Sequence, residues 1–344
     1  MNQQNHFSKY HEPSRSYEQR SKASEEFHSE QLTNKGDKKI YNTVQTNGTL
    51  LNAEFASFFK YNDFLVGISI DGPQDVHDKY RRYKGDSPTF HKVMSGIELL
   101  HRYGVEFNTM TTINKANEGR GLEVYDFLKK IGSRYMQFMP VLEYVDDRNN
   151  ITSPDSANSK VTSWSVDSLE YGKFMCDIFD YWVRNDIGHY FVNMFDSTLA
   201  NCCGLNPGTC VYSETCGANA VVEHNGDIYP CDHFVYPQYK LGNVNEISLQ
   251  EIVSSKKMTE FGIDKRNALP YKCLKCRYFR LCHGECPKHR FAKTESGKCG
   301  LNSLCDGLYY FFSHVEPYMN KMRDLYLSGK SPSEIMNLRV DGIE

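Results

Sequence analysis

The sequence predicts an α/β fold in which βα units build a parallel sheet, followed by a cysteine-rich domain with a β-hairpin and a C-terminal helix. Three observations predict it. From about residue 38, apolar runs of strand length alternate with amphipathic stretches of helix length, the pattern of βα units. All twelve cysteines fall between Cys176 and Cys305. A helical apolar period then returns near the end of the chain.

Residues 1–37 are rich in Gln, Ser, Glu, Lys and Asn, with almost no aliphatics, so they predict a disordered or weakly structured tail. Strands are predicted at 39–46, 64–71, 105–113 and 134–142, with helices near 52–60, 88–103 and 120–131 between them. In the second helix Phe90, Val93, Ile97 and Leu100 recur at helical spacing. Four strands each followed by a helix suit a βα barrel or an open doubly wound sheet. The polar stretch 143–167 reads as a surface loop, and helices are predicted at 168–185 and 190–203. "VVEHNGDIYPC" reads as a hairpin, with strands 220–224 and 227–230 around an Asn225-Gly226 turn. A last helix, 302–328, carries Leu304, Leu308, Phe311, Phe312 and Val315. The predicted division is a tail at 1–37, a partial barrel at 38–165, linking helices at 166–201, a metal-binding domain at 202–310, and a C-terminal helix and tail at 311–344.

With 344 residues, the chain can bury a sizeable core without staples. Its net charge of −3 and dispersed basic residues argue against a nucleic-acid or anionic-lipid surface. No apolar run approaches the roughly 18 residues of a membrane helix, and no secretory signal is visible, so a cytoplasmic protein without nucleic-acid or membrane partners is expected. In that compartment thiols stay reduced, and twelve cysteines are better read as ligands or reactive groups than as disulfides.

Within "YKCLKCRYFRLCHGEC", Cys273, Cys276, Cys282 and Cys286 are separated by two, five and three residues. A two-residue gap lets two thiolates meet one metal from a tight turn. Upstream, the hairpin brings Cys231 back beside Cys216, and Cys210 precedes both. With Cys305 there are eight placed thiols, enough for two four-thiolate sites. Spacing alone leaves zinc and iron–sulfur both open. Cys176, Cys202, Cys203 and Cys299 remain over as packing or reactive residues.

These cysteines, with "VQTNGTLL", "LVGISIDGPQDVHDKYR", "YPCDHFVYPQYKLGN" and "CRYFRLCHGECPKHR", resemble the anaerobic sulfatase-maturating enzymes of the radical S-adenosylmethionine superfamily, over roughly residues 38–320. The resemblance implies a partial radical S-adenosylmethionine (β/α) barrel followed by a SPASM domain with two auxiliary 4Fe-4S clusters. One would use Cys210, Cys216, Cys231 and Cys286, the other Cys273, Cys276, Cys282 and Cys305. It implies oxidation of a cysteine or serine to formylglycine in a sulfatase or other peptide substrate. Asp232 would be the base, shielded from bulk water, although an Asp capping the turn after the hairpin would look the same. Gln45, Asn47, Ser69 and Asp71 would lie at strand ends lining the S-adenosylmethionine pocket; for Asn47-Gly48 and Asp71-Gly72-Pro73 plain turn chemistry is the alternative. His77 and Arg81 in "HDKYR" also match the family pattern, although a solvent-facing loop pair would look the same.

The sequence departs from the family before Cys176, where it has no C-x3-C-x2-C for the initiating cluster and no GGEP-type segment. "KIYNTVQT" corresponds to the family's third strand, so the first two βα units are missing. The expectation is a truncated homologue unable to raise the radical alone, with an exposed sheet edge at 39–46. The alternative is a non-catalytic iron–sulfur or zinc module that binds a peptide or protein partner.

Overall fold

The computed structural model describes residues 41–152 and 160–338; the tail expected at 1–37 lies outside the described residues. The chain forms two compact units, one running to Thr111 and including Asp126–Gln137, the other formed by Thr112–Tyr125 and the chain from Phe138 onward.

The first unit opens with β1 (Thr43–Thr46), α1 (Ala53–Tyr61), β2 (Leu65–Ser69), α2 (Gln74–Tyr80), α3 (Phe90–Tyr103) and β3 (Phe107–Ile113). β1 pairs with β2, and β2 with β3, all in parallel. α1 starts where Asn52 Oδ1 accepts the Phe55 N–H at 2.9 Å, satisfying one of the donors a helix start leaves free. α3 buries Val93, Ile97 and Leu100, as its period predicts, and stops at Gly104, whose φ of 65° suits a left-handed C-cap. Gly96 lets α3 lie close to the turn after β1: a Cβ there would stand 2.8 Å from the Gly48 carbonyl oxygen. α2 had no counterpart in the sequence reading, because its seven residues hold a single aliphatic, Val76.

α4 (Gly121–Lys130) and β4 (Tyr135–Pro140) follow, and both, like β3, run through the division between the units. In the second unit come β5 (Tyr144–Val145), β6 (Lys160–Val161), α5 (Ser168–Asn185), β7 (Phe191–Val192) and α6 (Asn193–Cys202). Next are β8 (Val221–Val222), β9 (Asp227–Tyr229), β10 (Gly242–Asn243), α7 (Leu249–Val253), α8 (Lys256–Asn267), α9 (Tyr271–Leu274), α10 (Phe279–Cys282), β11 (Ala292–Lys293), β12 (Cys299–Leu301) and α11 (Cys305–Leu327).

The main sheet has the order β1-β2-β3-β4-β7, five strands where four were expected. The fifth lies at the start of the stretch read as a helix over 190–203; two strand residues are too few for a period to show. Among the described strands β1 is at the edge of this sheet. The segment 143–167, expected as a loop, holds an antiparallel pair, β5 with β6. The hairpin is present as β8 and β9, joined by β10 into a three-stranded sheet.

The core of the second unit is aromatic. Phe179 meets Phe195 edge-on at 5.2 Å, and Phe195 stacks on Phe311 at 5.9 Å, tying α5, α6 and α11 together. α5 and α11 touch backbone to backbone at Gly172 and Gly307: a Cβ on Gly307 would lie 1.7 Å from the Ser168 carbonyl oxygen. Among the described residues no helix is long and apolar enough to cross a membrane.

Candidate functional site

The hairpin sets the first group of thiols. Gly226 turns it at φ 84°, and Asn225 Oδ1 accepts the Asp227 N–H at 3.0 Å. β9 then leads to Cys231, which lines a cavity of about 60 Å³ together with Cys210, Cys216 and Cys286. Asp232, His233, Phe234 and Phe261 complete much of its wall. Cys216 is pinned by its own N–H, which donates to the Gly262 carbonyl on α8 at 3.0 Å.

The second group is built from tight turns. Cys273 donates its N–H to the Pro270 carbonyl at 2.9 Å and Cys276 to that of Cys273 at 3.1 Å. Cys282 ends α10, and Cys305 begins α11. These thiols act on one another electrostatically: Cys282 is influenced by Cys305 and Cys273, and Cys305 by Cys273 and Cys276. Cys286, four residues after Cys282, is instead influenced by Cys231 and Cys216. The backbone explains the separation. His283, Gly284 and Glu285 have φ of 47°, 74° and 51°, three successive left-handed residues that turn the chain between the two cysteines.

Burial, with neighbouring negative charge, pushes two thiols of this second group upward, Cys282 to about 12 and Cys305 to about 11. Cys231 also rises to about 12, through burial first and then the Asp232 carboxylate. Such thiols stay protonated at neutral pH until a cation displaces their protons. Clustered, desolvated cysteine sulfur is the donor set that iron–sulfur or zinc would use. Among the described residues no three His, Cys, Asp or Glu side chains meet closely enough to hold a single ion. The first thiol group rings a cavity.

Asp232 Oδ1 accepts the Cys231 S–H at 3.2 Å and the His233 N–H at 3.1 Å. Contrary to the expectation of a shielded carboxylate, Asp232 is exposed, since it opens a short 3-10 turn at the cavity wall. His233 Nδ1 lies 3.5 Å from Cys286 Sγ. Of the thiols left over, Cys176 is buried and pushed to about 12 by that burial, and Cys299 is exposed on β12.

In the first unit, Gln45 and Ser69 share one face of the sheet, with Gln45 Nε2 donating to Ser69 Oγ at 3.1 Å. Gln45, Gly67 and Asn108 stand side by side in register. A Cβ on Gly67 would meet Gln45 Oε1 at 1.9 Å and Asn108 Oδ1 at 3.0 Å, so the glycine makes room for two carboxamides. Asn47 Oδ1 accepts from Thr49 N and Oγ1 at 3.1 and 2.9 Å and thus serves the turn. Asp71, 2 % exposed, grips Arg81 with two bonds of 2.7 and 3.0 Å. Arg81 is thereby fixed beside the end of β2.

Two family profiles match the chain: the radical SAM superfamily over residues 13–128, and SPASM, an iron-sulfur cluster-binding domain, over 210–277. The first begins inside the stretch expected as a tail. A serine-type anaerobic sulfatase-maturating enzyme of Bacteroides thetaiotaomicron is 45 % identical over 307 residues, 88 % of this chain and 74 % of the relative. The chain belongs to the anaerobic sulfatase-maturating enzymes. A cysteine-type member from Clostridium novyi is 34 % identical over 79 % of this chain and 70 % of its own length. The solved structure of native anSMEcpe with bound AdoMet and Kp18Cys peptide superposes with a TM-score of 0.76 at 29 % identity, covering 88 % of this chain and 81 % of that one. The chain accordingly combines a radical SAM α/β fold with an iron–sulfur-binding SPASM domain.

Sequence reasoning missed the polar residues that hold the thiol loops. Lys265 of α8, 1 % exposed, donates to the carbonyls of Cys210, Val211 and Ser213. Arg290 donates to the carbonyls of Gly284, His283, Glu285 and Lys265. Glu285 is buried against His289 and Asn302 at 2.8 and 2.6 Å. The one available signal was "HGEC", an unusual turn before a cysteine; Lys265 is one of three lysines in its helix and nothing in the sequence sets it apart.

Proposed function

We propose that this chain holds two four-iron clusters, one on Cys210, Cys216, Cys231 and Cys286 and one on Cys273, Cys276, Cys282 and Cys305. A Ser or Cys side chain of a sulfatase-like peptide would be oxidised to formylglycine beside the first. The observation that carries this reading is that Asp232 and four thiols line one cavity. Asp232 is the group that accepts the proton from the substrate hydroxyl or thiol. Once Cys231 serves as a ligand its thiol proton is gone, and the Asp232 oxygen that accepted it is released toward the cavity. A cluster held there would accept one of the two electrons of that oxidation; the other would leave with a hydrogen atom taken by a radical formed from S-adenosylmethionine, a step for which this sequence offers no C-x3-C-x2-C. In the first unit, Gln45 and Ser69 offer S-adenosylmethionine polar atoms from the sheet face. Asn47 shapes the turn beside them, and Asp71 acts as a positioning residue through Arg81.

Anaerobic purification with iron and sulfide analysis tests the assignment. About eight irons per chain are expected, falling to about four in either Cys231→Ala or Cys305→Ala. One or two zinc ions without visible absorption would overturn it. The serine-type relative directs the first substrate assay to a Ser peptide, with the Cys version in parallel. In a chain joined to a C-x3-C-x2-C region that supplies the radical, Asp232→Asn is expected to keep its iron and its peptide affinity while formylglycine formation falls by roughly 10²–10⁴-fold. Unchanged turnover would remove Asp232 from the role.

A further inference from the structure

Lys265 is a cation buried beside the first thiol group, and Arg290, half-buried, lies near both groups; among the described residues neither forms an ion pair with a carboxylate. Lys265 places its ammonium against three backbone carbonyls, two of them at 2.8 and 2.5 Å. An ammonium has three N–H donors and a neutral amine only two, so three acceptors select the charged form. No carboxylate lies within ion-pair distance of it among the described residues. Arg290 likewise spends its donors on carbonyls. Burying an ammonium without a carboxylate in contact is costly, and nearby anions must offset that cost. Cys216, Glu285 and Cys286 lie within electrostatic reach of Lys265, and Glu285, Cys273, Cys286 and Cys282 within that of Arg290, so the one buried carboxylate is shared between two cations. Four thiolates around an iron–sulfur cube leave it anionic.

We propose that Lys265 is a positioning residue for the cluster on Cys210, Cys216, Cys231 and Cys286: its fixed positive charge is that cluster's counter-ion and raises its reduction potential, while its three hydrogen bonds shape the Cys210–Ser213 loop. This inference rests on the four-thiolate reading above. Arg290 lies between the two groups and acts on both. Glu285, the buried carboxylate of the same network, works in the opposite direction.

The test is a redox titration followed by electron paramagnetic resonance on the iron-loaded full chain, comparing wild type with Lys265→Met, Lys265→Gln, Lys265→Arg and Glu285→Gln. In the neutral Lys265 variants the midpoint of the first cluster shifts negative, and by more than that of the second. Lys265→Arg stays near wild type, and Glu285→Gln shifts positive. If both neutral variants lose about four irons while Lys265→Arg keeps them, the counter-charge is again the cause. Iron-replete neutral variants with unmoved midpoints would overturn the inference, as would equal loss of iron in all three Lys265 variants, which would mark shape rather than charge. A wild type that takes up no iron at the first group would instead remove the cluster assignment itself.

Discussion

At the scale of single residues, His77 shows how a buried imidazole can fix a loop by staying neutral. Its Nδ1 accepts the Asp71 N–H at 3.4 Å, which leaves Nε2–H to donate to Thr89 Oγ1 at 3.0 Å. The Thr89 hydroxyl in turn donates a hydrogen bond to the Arg81 carbonyl at 2.6 Å. The chain of donors works only with an uncharged ring, and burial lowers the His77 pKa from 6.5 to about 4 against the opposing pull of Asp71 and Asp78. Between those values the unfolded chain binds the proton that the folded one refuses. Stability is therefore fully present above about pH 6.5 and falls as pH drops toward 4. From about pH 7.5 to 5 the residue should cost about 2 kcal/mol. Urea denaturation of wild type against His77→Gln isolates it, because the variant should lack this part of the pH dependence. A constant difference between the two across that range would show that the ring is not buried neutral. The sequence reading took "HDKYR" as compatible with a solvent-facing pair, because a motif fixes neither burial nor tautomer; both emerge only when Asp71, Thr89 and Arg81 come together.

At the scale of elements, the contact between α5 and α11 turns on Gly172 and Gly307. Alanine in place of glycine inside a helix should gain about 1 kcal/mol of propensity. At Gly307 the added methyl would lie 1.7 Å from the Ser168 carbonyl oxygen, so the helices must part and the Phe179, Phe195 and Phe311 packing must loosen with them. Overpacking of this kind costs about 1–3 kcal/mol, and backbone, unlike a side chain, cannot turn aside. With the clash at the upper end of that range because the atom met is backbone, Gly307→Ala should lower stability by up to about 2 kcal/mol net in thermal or urea unfolding, and an unchanged midpoint would show that the crossing is slack. Both helices were legible in the sequence because their buried faces are apolar at helical spacing. α8 was not. It buries Met258, Gly262 and Lys265, a face without a hydrophobic period, because its task is to approach Cys216 and to carry an ammonium to the Cys210 loop. Serine caps were the readable trace: Ser248 and Glu251 form a capping box before α7, and Ser255 caps α8.

At the scale of the whole molecule, the two units rest on different physics. The first is held by a parallel sheet under apolar helix faces, with Val66, Ile68, Val93, Ile97 and Leu100 almost wholly buried. Between Cys203 and Leu304 the second is made of strands of two or three residues and, apart from α8, helices of four or five. Elements so short cannot bury enough apolar surface to offset the entropy of ordering them. Periodicity made the former visible in the sequence, and cysteine spacing made the latter visible only as chemistry, since its loops follow the thiols and their carbonyl clamps. Removal of the metal should then act regionally. Hydrogen–deuterium exchange after anaerobic chelation is expected to show lost protection at 210–231, 271–290 and 299–305, because thiols pushed toward 12 repay no burial once their cation is gone. Peptides spanning 64–70 and 93–100 should keep theirs. Uniform loss across both regions would mean that the metal stabilises the chain as one cooperative body. Full retention would show that Lys265, Arg290 and Glu285 hold the thiol loops without it.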